Sequence, residues 1–281
     1  SKDGLEYTTL NLVHGEITPM RYGGNYKSYG PQYPRGIQEG NGVPADGDLW
    51  VSYSVNKEDM WISRIPVPVE INASAHADDD FTKFGSIAEL TNWNIYSPVW
   101  APVSLEGAWL KLQDKDPFDY AKVERKIPAS KELKVSFDLL AEQNDKGRLQ
   151  IDFLDGNSIA CSRLELTPDG IFRMKGGSRF ANMMNYEAGK TYHVEAVLST
   201  ADRNIQVYVD GKRVGLRMFY APVATIERIA FRTGEMRTFP TVDTPADQTY
   251  DLPDAGGQEP LAEYRIANVK TSSTDKDASS A

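Results

Sequence analysis

Apolar and polar residues alternate with a period of two along much of the chain, and helical periodicity is nearly absent. Such alternation is typical of a strand that places one face on a core and the other toward water or a ligand. Polar turns such as 56–59 and 210–211 separate the alternating runs. The pattern predicts an all-β fold built around an antiparallel β-sandwich. The clearest strands are expected at 49–55, 60–65, 133–139, 149–154, 192–198 and 205–209.

A change of composition at residues 66–80 predicts a linker. Pro66 and Pro68 stiffen its start, and the rest is small and polar, as linkers tend to be. Its three consecutive aspartates, 78–80, are expected to be solvated, with cation binding as the alternative. The predicted organisation is therefore a first segment at 1–65, the linker, a sandwich at 81–270, and a tail at 271–281 that lacks apolar residues and is expected to be disordered.

Composition excludes several classes of protein. The formal net charge of −9 argues against a general nucleic-acid binder, because such proteins depend on clustered Lys and Arg facing phosphates. No run approaches the roughly 18 apolar residues that a membrane-spanning helix needs. Cys161 is the single cysteine, which excludes an intrachain disulfide and a cysteine-based zinc site. We expect it to be a small buried side chain.

Residues 20–37, called here the Tyr/Arg loop, are rich in tyrosine and basic residues set among glycines and prolines. Tyrosine can stack on a sugar ring and hydrogen-bond to its hydroxyls, and arginine presents a planar fork to a carboxylate or sulfate. The loop therefore predicts a surface for an acidic glycan. The alternative is a long loop whose tyrosines cover a sheet edge and whose arginines pair with the many acids of the chain.

Candidate roles follow from residue type. His14, just upstream of the loop, can transfer protons near neutral pH, although a structural role is the alternative. The catalytic candidates are His14, Arg21, Tyr22 and Tyr26, and the substrate-binding candidates are Lys27, Tyr29, Tyr33 and Arg35. A lyase needs a positive charge on the uronate carboxylate and a group that moves protons, whereas a hydrolase needs two carboxylates, for which only Glu16 and Glu39 lie near the loop. The residue types found in and near the loop favour a lyase over a hydrolase.

Three carboxylates, Asp114, Asp116 and Asp119, lie within six residues of a turn. Oxygen ligands at such spacing can bind calcium, but the EF-hand pattern would need Gly where Asp119 stands and Glu where Arg125 stands. Turn capping by the Asp side chains is the alternative. The prediction is that no cofactor is required and that calcium is an optional ligand.

The chain also resembles a known family. Residues 47–69 look like the closing blade of the sialidase-like β-propellers of bacterial polysaccharide-degrading enzymes. Residues 79–270, with the runs Tyr96–Pro102 and Arg228–Gly234, are similar to the laminin-G or concanavalin-like jelly-roll sandwich that follows such propellers. The resemblance implies a propeller-blade remnant followed by the sandwich. It departs from the family in having one blade, a degenerate Asp-box at 46–50, and no arginine triad that can be placed.

What the resemblance implies is the C-terminal portion of a secreted or periplasmic enzyme that acts on uronate- or rhamnose-containing polysaccharide. The remaining propeller would come from the rest of the polypeptide or from another chain. Two alternatives stay open. In the first, the sandwich is a non-catalytic carbohydrate-binding module with Trp93, Trp100 and Trp109 as stacking candidates, although packing between the sheets is expected for at least two of them. In the second, the sandwich is a structural brace for the propeller.

Overall fold

A computed structural model describes residues 30–37, 47–67, 73–117, 119–234 and 257–273, together with Leu5, Val13 and Val69. The chain divides into two compact units, and the described part of the second begins at residue 73. The division falls within the segment 66–80. No helix in the described ranges is long and apolar enough to cross a membrane.

The first unit contains a three-stranded antiparallel sheet in the order β1 (Pro31–Ile37), β2 (Leu49–Val55) and β3 (Asp59–Ile65). The tight turn between β2 and β3 places Asn56 in the left-handed region, at a φ of 55°, which asparagine tolerates better than most residues. The Asn56 side chain accepts a hydrogen bond from the Gly30 backbone at 2.8 Å. This bond joins the β2–β3 turn to the start of β1, and the predicted hairpin is confirmed.

The second unit is a sandwich of two antiparallel sheets. The seven-stranded sheet has the order β13-β12-β11-β10-β17-β8-β5, and the eight-stranded sheet has the order β16-β15-β14-β9-β18-β7-β6 with β4 paired to β18. The strands are β4 (Asp78–Asp79), β5 (Trp93–Tyr96), β6 (Val103–Glu106), β7 (Trp109–Asp114), β8 (Lys122–Ser130), β9 (Glu132–Ala141), β10 (Leu149–Leu154), β11 (Ala160–Leu166), β12 (Ile171–Gly176), β13 (Arg179–Asn185), β14 (Thr191–Ser199), β15 (Asn204–Val209), β16 (Lys212–Met218), β17 (Ile226–Thr233) and β18 (Ala262–Ser273). Two short 3-10 turns, Phe81–Lys83 and Ile87–Glu89, precede β5.

The core lies between the two sheets and uses alternate residues of each strand. In β9, for example, Leu133, Val135, Phe137 and Leu139 are buried while the residues between them are not. Phe137 of the eight-stranded sheet meets Phe231 of the seven-stranded sheet edge-on, with ring centroids 5.1 Å apart. Such edge-to-face contacts add to the burial energy and fix how the sheets pack. The predicted all-β antiparallel sandwich is confirmed.

Two predicted boundaries are wrong. Residues 271–273, assigned to a disordered tail, form the end of β18, where the Thr271 hydroxyl accepts the backbone N–H of Ala77 at 2.8 Å. Asp79, expected to be solvated in the linker, lies in β4 and accepts two hydrogen bonds from the Arg125 guanidinium and one from Trp93 Nε1. Both segments are held by backbone pairing and polar contacts, which apolar patterning cannot reveal.

Candidate functional site

The seven-stranded sheet carries charged side chains on the face turned away from the core. Asp152 on β10 and Arg163 on β11 lie directly opposite each other. Their side chains form a two-pronged ion pair, with Nε–Oδ1 at 2.6 Å and Nη2–Oδ2 at 2.8 Å. Burial opposes the charge of Arg163, but the Asp152 carboxylate outweighs it and raises the guanidinium pKa. The pair joins β10 and β11 at the centre of this face through two charge-assisted hydrogen bonds.

A second ion cluster lies beside the first. The buried Glu165 carboxylate on β11 accepts hydrogen bonds from Arg148 and from Arg173, the latter through Nε at 2.8 Å. Glu165 and Arg173 are opposite each other in the β11–β12 register. Two guanidinium groups therefore share one carboxylate.

The half-buried edge of this face carries two cation–aromatic contacts. Arg173 lies 4.2 Å from the centroid of the Phe180 ring, and the Lys175 ammonium lies 4.4 Å from that of Tyr220. Lys175 and Phe180 are cross-strand partners in the β12–β13 register. We call Arg173, Lys175, Phe180 and Tyr220 the cation–aromatic strip. It combines flat rings, which suit sugar faces, with cations, which suit carboxylates.

Tyr220 reaches the strip from the segment after β16. Its backbone N–H donates to the Cys161 carbonyl on β11 at 3.0 Å, which positions the ring above the sheet. Burial, together with the nearby Asp152 charge, raises the pKa of its hydroxyl above the ordinary value. The hydroxyl therefore stays protonated at neutral pH and remains a hydrogen-bond donor.

The predicted Tyr/Arg loop is described only in part. Tyr33 and Arg35 lie within it, and the structure places them on the exposed strand β1 rather than in a loop. A bulge between Gln32 and Arg35 interrupts the pairing with β2, which lets a strand accommodate Pro34. The other candidates lie outside the described residues: His14, Arg21, Tyr22, Tyr26, Lys27 and Tyr29. The glycan role of this segment stays a prediction.

Asp114, Asp116 and Asp119 come together at the end of β7 and in the turn that follows. One oxygen of each accepts a backbone N–H at 2.9 Å, from residues 116, 119 and 120 in turn. Burial, helped by the two neighbouring carboxylates, raises the pKa of Asp114 to about 7. In the part of the chain that the structure describes, no three His, Cys, Asp or Glu side chains are arranged to hold a metal ion. Their oxygens suit calcium chemically, but the arrangement is that of turn capping, and calcium binding stays a prediction.

Of the three tryptophans named as stacking candidates, Trp93 takes the alternative, burial between the sheets. This side chain is buried in the core, where its ring contacts Phe81 and Phe231 with centroids 5.7 and 6.4 Å away. Trp100 and Trp109 are half-buried. The sequence interpretation missed the cation–aromatic strip, although the alternation of Arg173 and Lys175 along one strand was a visible signal of an outward basic face.

Comparisons with known proteins agree with a carbohydrate-related role. Residues 93–248 match the family described as "Sialidase-like, CBM domain". A solved structure named "Sialidase" is 97% identical with a TM-score of 0.93; it matches 99% of this chain, which spans only 26% of that protein. The apo Crh5 transglycosylase, 11% identical with a TM-score of 0.53 over 72% of this chain and 86% of its own, shares the fold alone. No curated protein matches the chain. The chain therefore belongs to the Sialidase-like, CBM domain family, as the carbohydrate-binding module of a sialidase-related protein.

Proposed function

We propose that the second unit binds an acidic glycan through the cation–aromatic strip, as a non-catalytic module of a secreted polysaccharide-degrading enzyme. The observation that carries the proposal is the Lys175 ammonium. It lies over the Tyr220 ring, and no ion pair is found for it among the described residues. A carboxylate or sulfate on a sugar would supply that partner while the sugar ring lies against the aromatic side chains.

The other members of the strip have supporting roles in this proposal. Arg173 is held by Glu165 and lies over the Phe180 ring, so its charge is already shared and its main effect is to fix that ring. The protonated Tyr220 hydroxyl is a donor for a sugar hydroxyl or ring oxygen. An anionic sugar would meet one unshared cation, one donor and two ring surfaces, whereas a neutral sugar would leave the ammonium without a partner.

The experiment is affinity electrophoresis against a uronate polymer, with a neutral polysaccharide as reference. We expect Lys175→Ala to weaken retention by the uronate polymer about tenfold, since a hydrogen bond to a charged group contributes about 1.5–3 kcal/mol. Phe180→Ala should also weaken retention, because it removes a ring against which the sugar would lie. Lys134→Ala is the matched control, because Lys134 is a half-exposed lysine on the other sheet and pairs with Glu195. Equal retention of the Lys175 and Lys134 variants would contradict the proposal.

The reaction of the whole enzyme is a separate part of the proposal. The residues of the Tyr/Arg loop favour a lyase, whereas the name of the near-identical protein favours hydrolysis of a glycosidic bond. An assay of the longer polypeptide on acidic polysaccharide separates the two, because only a lyase forms an unsaturated product that absorbs ultraviolet light. If Arg35→Ala changed neither the rate nor the retention, the loop would have no part in either reaction.

A further inference from the structure

Three polar side chains meet on the eight-stranded sheet of the second unit, the sheet that does not carry the cation–aromatic strip. Asp138 on β9 and His193 on β14 are directly opposite each other, and the distance from Oδ1 to Nδ1 is 2.7 Å. The Asn268 amide on β18 donates to the other oxygen of Asp138, Oδ2, at 2.6 Å. We call Asp138, His193 and Asn268 the outer cluster. One carboxylate therefore holds polar side chains from the strands on both sides of β9.

Alternation along β9 and β14 places the outer cluster on the face turned away from the core. The residues before and after Asp138 and His193 are buried in the core: Phe137, Leu139, Tyr192 and Val194. The His193 side chain is 51% exposed, and Asn268 is exposed as well. Within the second unit, the cluster is therefore open to a ligand.

An irregularity in β18 brings Asn268 to the cluster. The pairing of β18 with β9 shifts register between Ala267 and Lys270, and Asn268 lies in this bulge at a φ of 52°. Most side chains avoid that left-handed conformation, which asparagine tolerates. Because Ala267 is opposite Asp138, a regular strand would turn Asn268 toward the core. Bulges commonly re-aim a side chain next to a functional site, and this one aims the amide at Asp138.

The cluster has two hydrogen-bond acceptors to offer. A carboxylate only accepts, so in the neutral imidazole the hydrogen lies on Nδ1, toward Asp138, and Nε2 carries the lone pair. Asn268 donates through Nδ2, which leaves its Oδ1 as the second acceptor. Among the residues that the structure describes, neither His193 Nε2 nor Asn268 Oδ1 has a hydrogen-bond partner. Two acceptors held by one carboxylate suit a ligand with two adjacent donors.

The charge around the cluster disfavours an anionic ligand. Asp210, in the turn after β15, accepts the backbone N–H of His193 at 2.9 Å and so adds a second carboxylate beside Asp138. In the described ranges, neither Asp138 nor Asp210 forms an ion pair with Lys or Arg. A carboxylate or sulfate on a sugar would meet lone pairs and negative charge, whereas two hydroxyls would meet two acceptors.

An aromatic ring lies one strand away from the cluster. Tyr208 on β15 pairs with Glu195, which is two residues from His193 on the same face of β14. Tyr208 is therefore a diagonal neighbour of His193, at a spacing of about 7–8 Å that aromatic side chains can bridge. The ring is half-buried, and its hydroxyl donates to Gln206 Oε1 at 3.1 Å. Such a ring gives the apolar surface on which a sugar can lie.

We propose that the outer cluster binds two vicinal hydroxyls of a neutral sugar. His193 Nε2 accepts from one hydroxyl and Asn268 Oδ1 from the other, while Asp138 is a positioning residue that acts through the two groups it holds. The second unit then has a neutral-glycan site on one sheet and the proposed acidic-glycan site on the other. The proposal depends on the eight-stranded sheet alone and goes beyond the proposed function.

The test is affinity electrophoresis of the full chain in a gel that contains galactomannan. The reference gel contains the same polymer after periodate oxidation and borohydride reduction, which break the carbon–carbon bond of each vicinal diol and leave a neutral, hydroxylated polymer. We expect the unchanged protein to be retained by galactomannan and not by the treated polymer. His193→Ala and Asn268→Gly should each weaken retention about fivefold, which corresponds to the loss of one hydrogen bond of about 1 kcal/mol.

Two features of the variants keep the test informative. Asn268→Gly removes the amide but keeps a residue that adopts the left-handed conformation, so it remains usable if His193→Ala does not fold. Ser272→Ala is the matched control, because Ser272 is an exposed residue of the same strand, four positions beyond Asn268. We expect this control to be retained as strongly as the unchanged protein.

Three outcomes would overturn the proposal. Equal retention of the unchanged protein by the two polymers would show that vicinal hydroxyls are not the ligand. Equal retention of all three variants by galactomannan would show that the outer cluster is an ordinary solvated surface. Loss of retention on adding a chelator would show that the cluster binds a cation. No step uses the uronate polymer, so failure of this proposal and failure of the proposed function are distinguishable.

Discussion

At the scale of single residues, the buried Asp114 carboxyl makes the stability of the protein depend on pH. Its pKa is about 7 in the folded protein, because burial and two neighbouring carboxylates disfavour its charge. The unfolded chain has the ordinary value of 3.8. Between these two values the folded state binds more protons than the unfolded state, so stability falls as the pH rises through that window.

We therefore predict that Asp114→Asn flattens the pH dependence of stability. The free energy of unfolding of the unchanged protein should fall by on the order of 3 kcal/mol between pH 4 and pH 8, at roughly 1.4 kcal/mol for each unit of pKa difference. The variant should lose most of that slope and be the more stable protein at pH 8. Urea unfolding at each pH measures this, and parallel slopes for the two proteins would contradict it.

The same cluster gives a test of calcium binding. If calcium binds Asp114, Asp116 and Asp119, adding it at pH 8 should raise the unfolding temperature of the unchanged protein, because the cation removes the repulsion among buried carboxylates. Asp114→Asn and Asp119→Asn should lose the increase. Differential scanning fluorimetry with and without a chelator measures this. The calcium prediction would be wrong if calcium did not raise the unfolding temperature of the unchanged protein, or if it raised that of both variants equally.

Gly147 is a position where steric crowding should make substitution costly. Its φ is +68°, and an added Cβ would lie 2.3 Å from the Ala262 Cβ and 2.9 Å from the Tyr264 hydroxyl. We predict that Gly147→Ala lowers the free energy of unfolding by about 3 kcal/mol, combining backbone strain with overpacking. Gly189→Ala is the matched control, because Gly189 has a similar φ of +71° and no atom within 4 Å of an added Cβ. Equal losses would show that backbone strain alone is responsible.

At the scale of elements, the strand β4 is tied to the sandwich by a buried ion pair. Arg125 on β8 holds Asp79 through two hydrogen bonds, and its side chain is almost fully buried. Removing one partner leaves the other charge buried without compensation, so we predict that Arg125→Ala lowers the free energy of unfolding by about 3–5 kcal/mol. Asp79→Ala together with Arg125→Ala should cost less than the sum of the single changes. Strict additivity in urea unfolding would contradict this.

The sequence predicts elements well where burial alternates and poorly where backbone pairing alone defines them. The run 149–154 coincides with β10, because one face of that strand is apolar. Asp78 and Asp79 have no apolar signal, so β4 was assigned to the linker. The cation–aromatic strip escaped prediction for another reason. Phe180 and Tyr220 lie 40 residues apart, and only the β12–β13 register and the Tyr220–Cys161 backbone bond bring them to one face.

At the scale of the whole molecule, the two acidic-glycan surfaces, one predicted from the sequence and one proposed from the structure, belong to different compact units. The cation–aromatic strip belongs to the second unit, and the Tyr/Arg loop belongs to the first. We predict that residues 73–281, which contain the second unit together with the segment 236–256 of the first, fold without residues 1–72 and keep their affinity for a uronate polymer within about twofold, because the second unit has its own extensive core. Circular dichroism and affinity electrophoresis measure this. Folding without binding would contradict the proposed role of the cation–aromatic strip.

The fold class could be predicted from the sequence, because strand alternation is a local signal. The site could not be predicted to the same extent. Tyrosines and arginines that lie close together in the chain predict a glycan surface at residues 20–37. Arg173 and Lys175, by contrast, contact aromatic rings that lie on other segments. Contacts between distant segments depend on sheet register, which a single sequence does not state.

The buried Cys161 has a consequence for chemistry on the intact protein. Burial raises the pKa of its thiol to about 12, so the reactive thiolate is almost absent at neutral pH. Oxidants and alkylating reagents should react with this sulfur only after the sandwich unfolds. The rate at which Cys161 is modified therefore measures global unfolding of the second unit. The fold of that unit should also be the same under reducing and oxidising conditions.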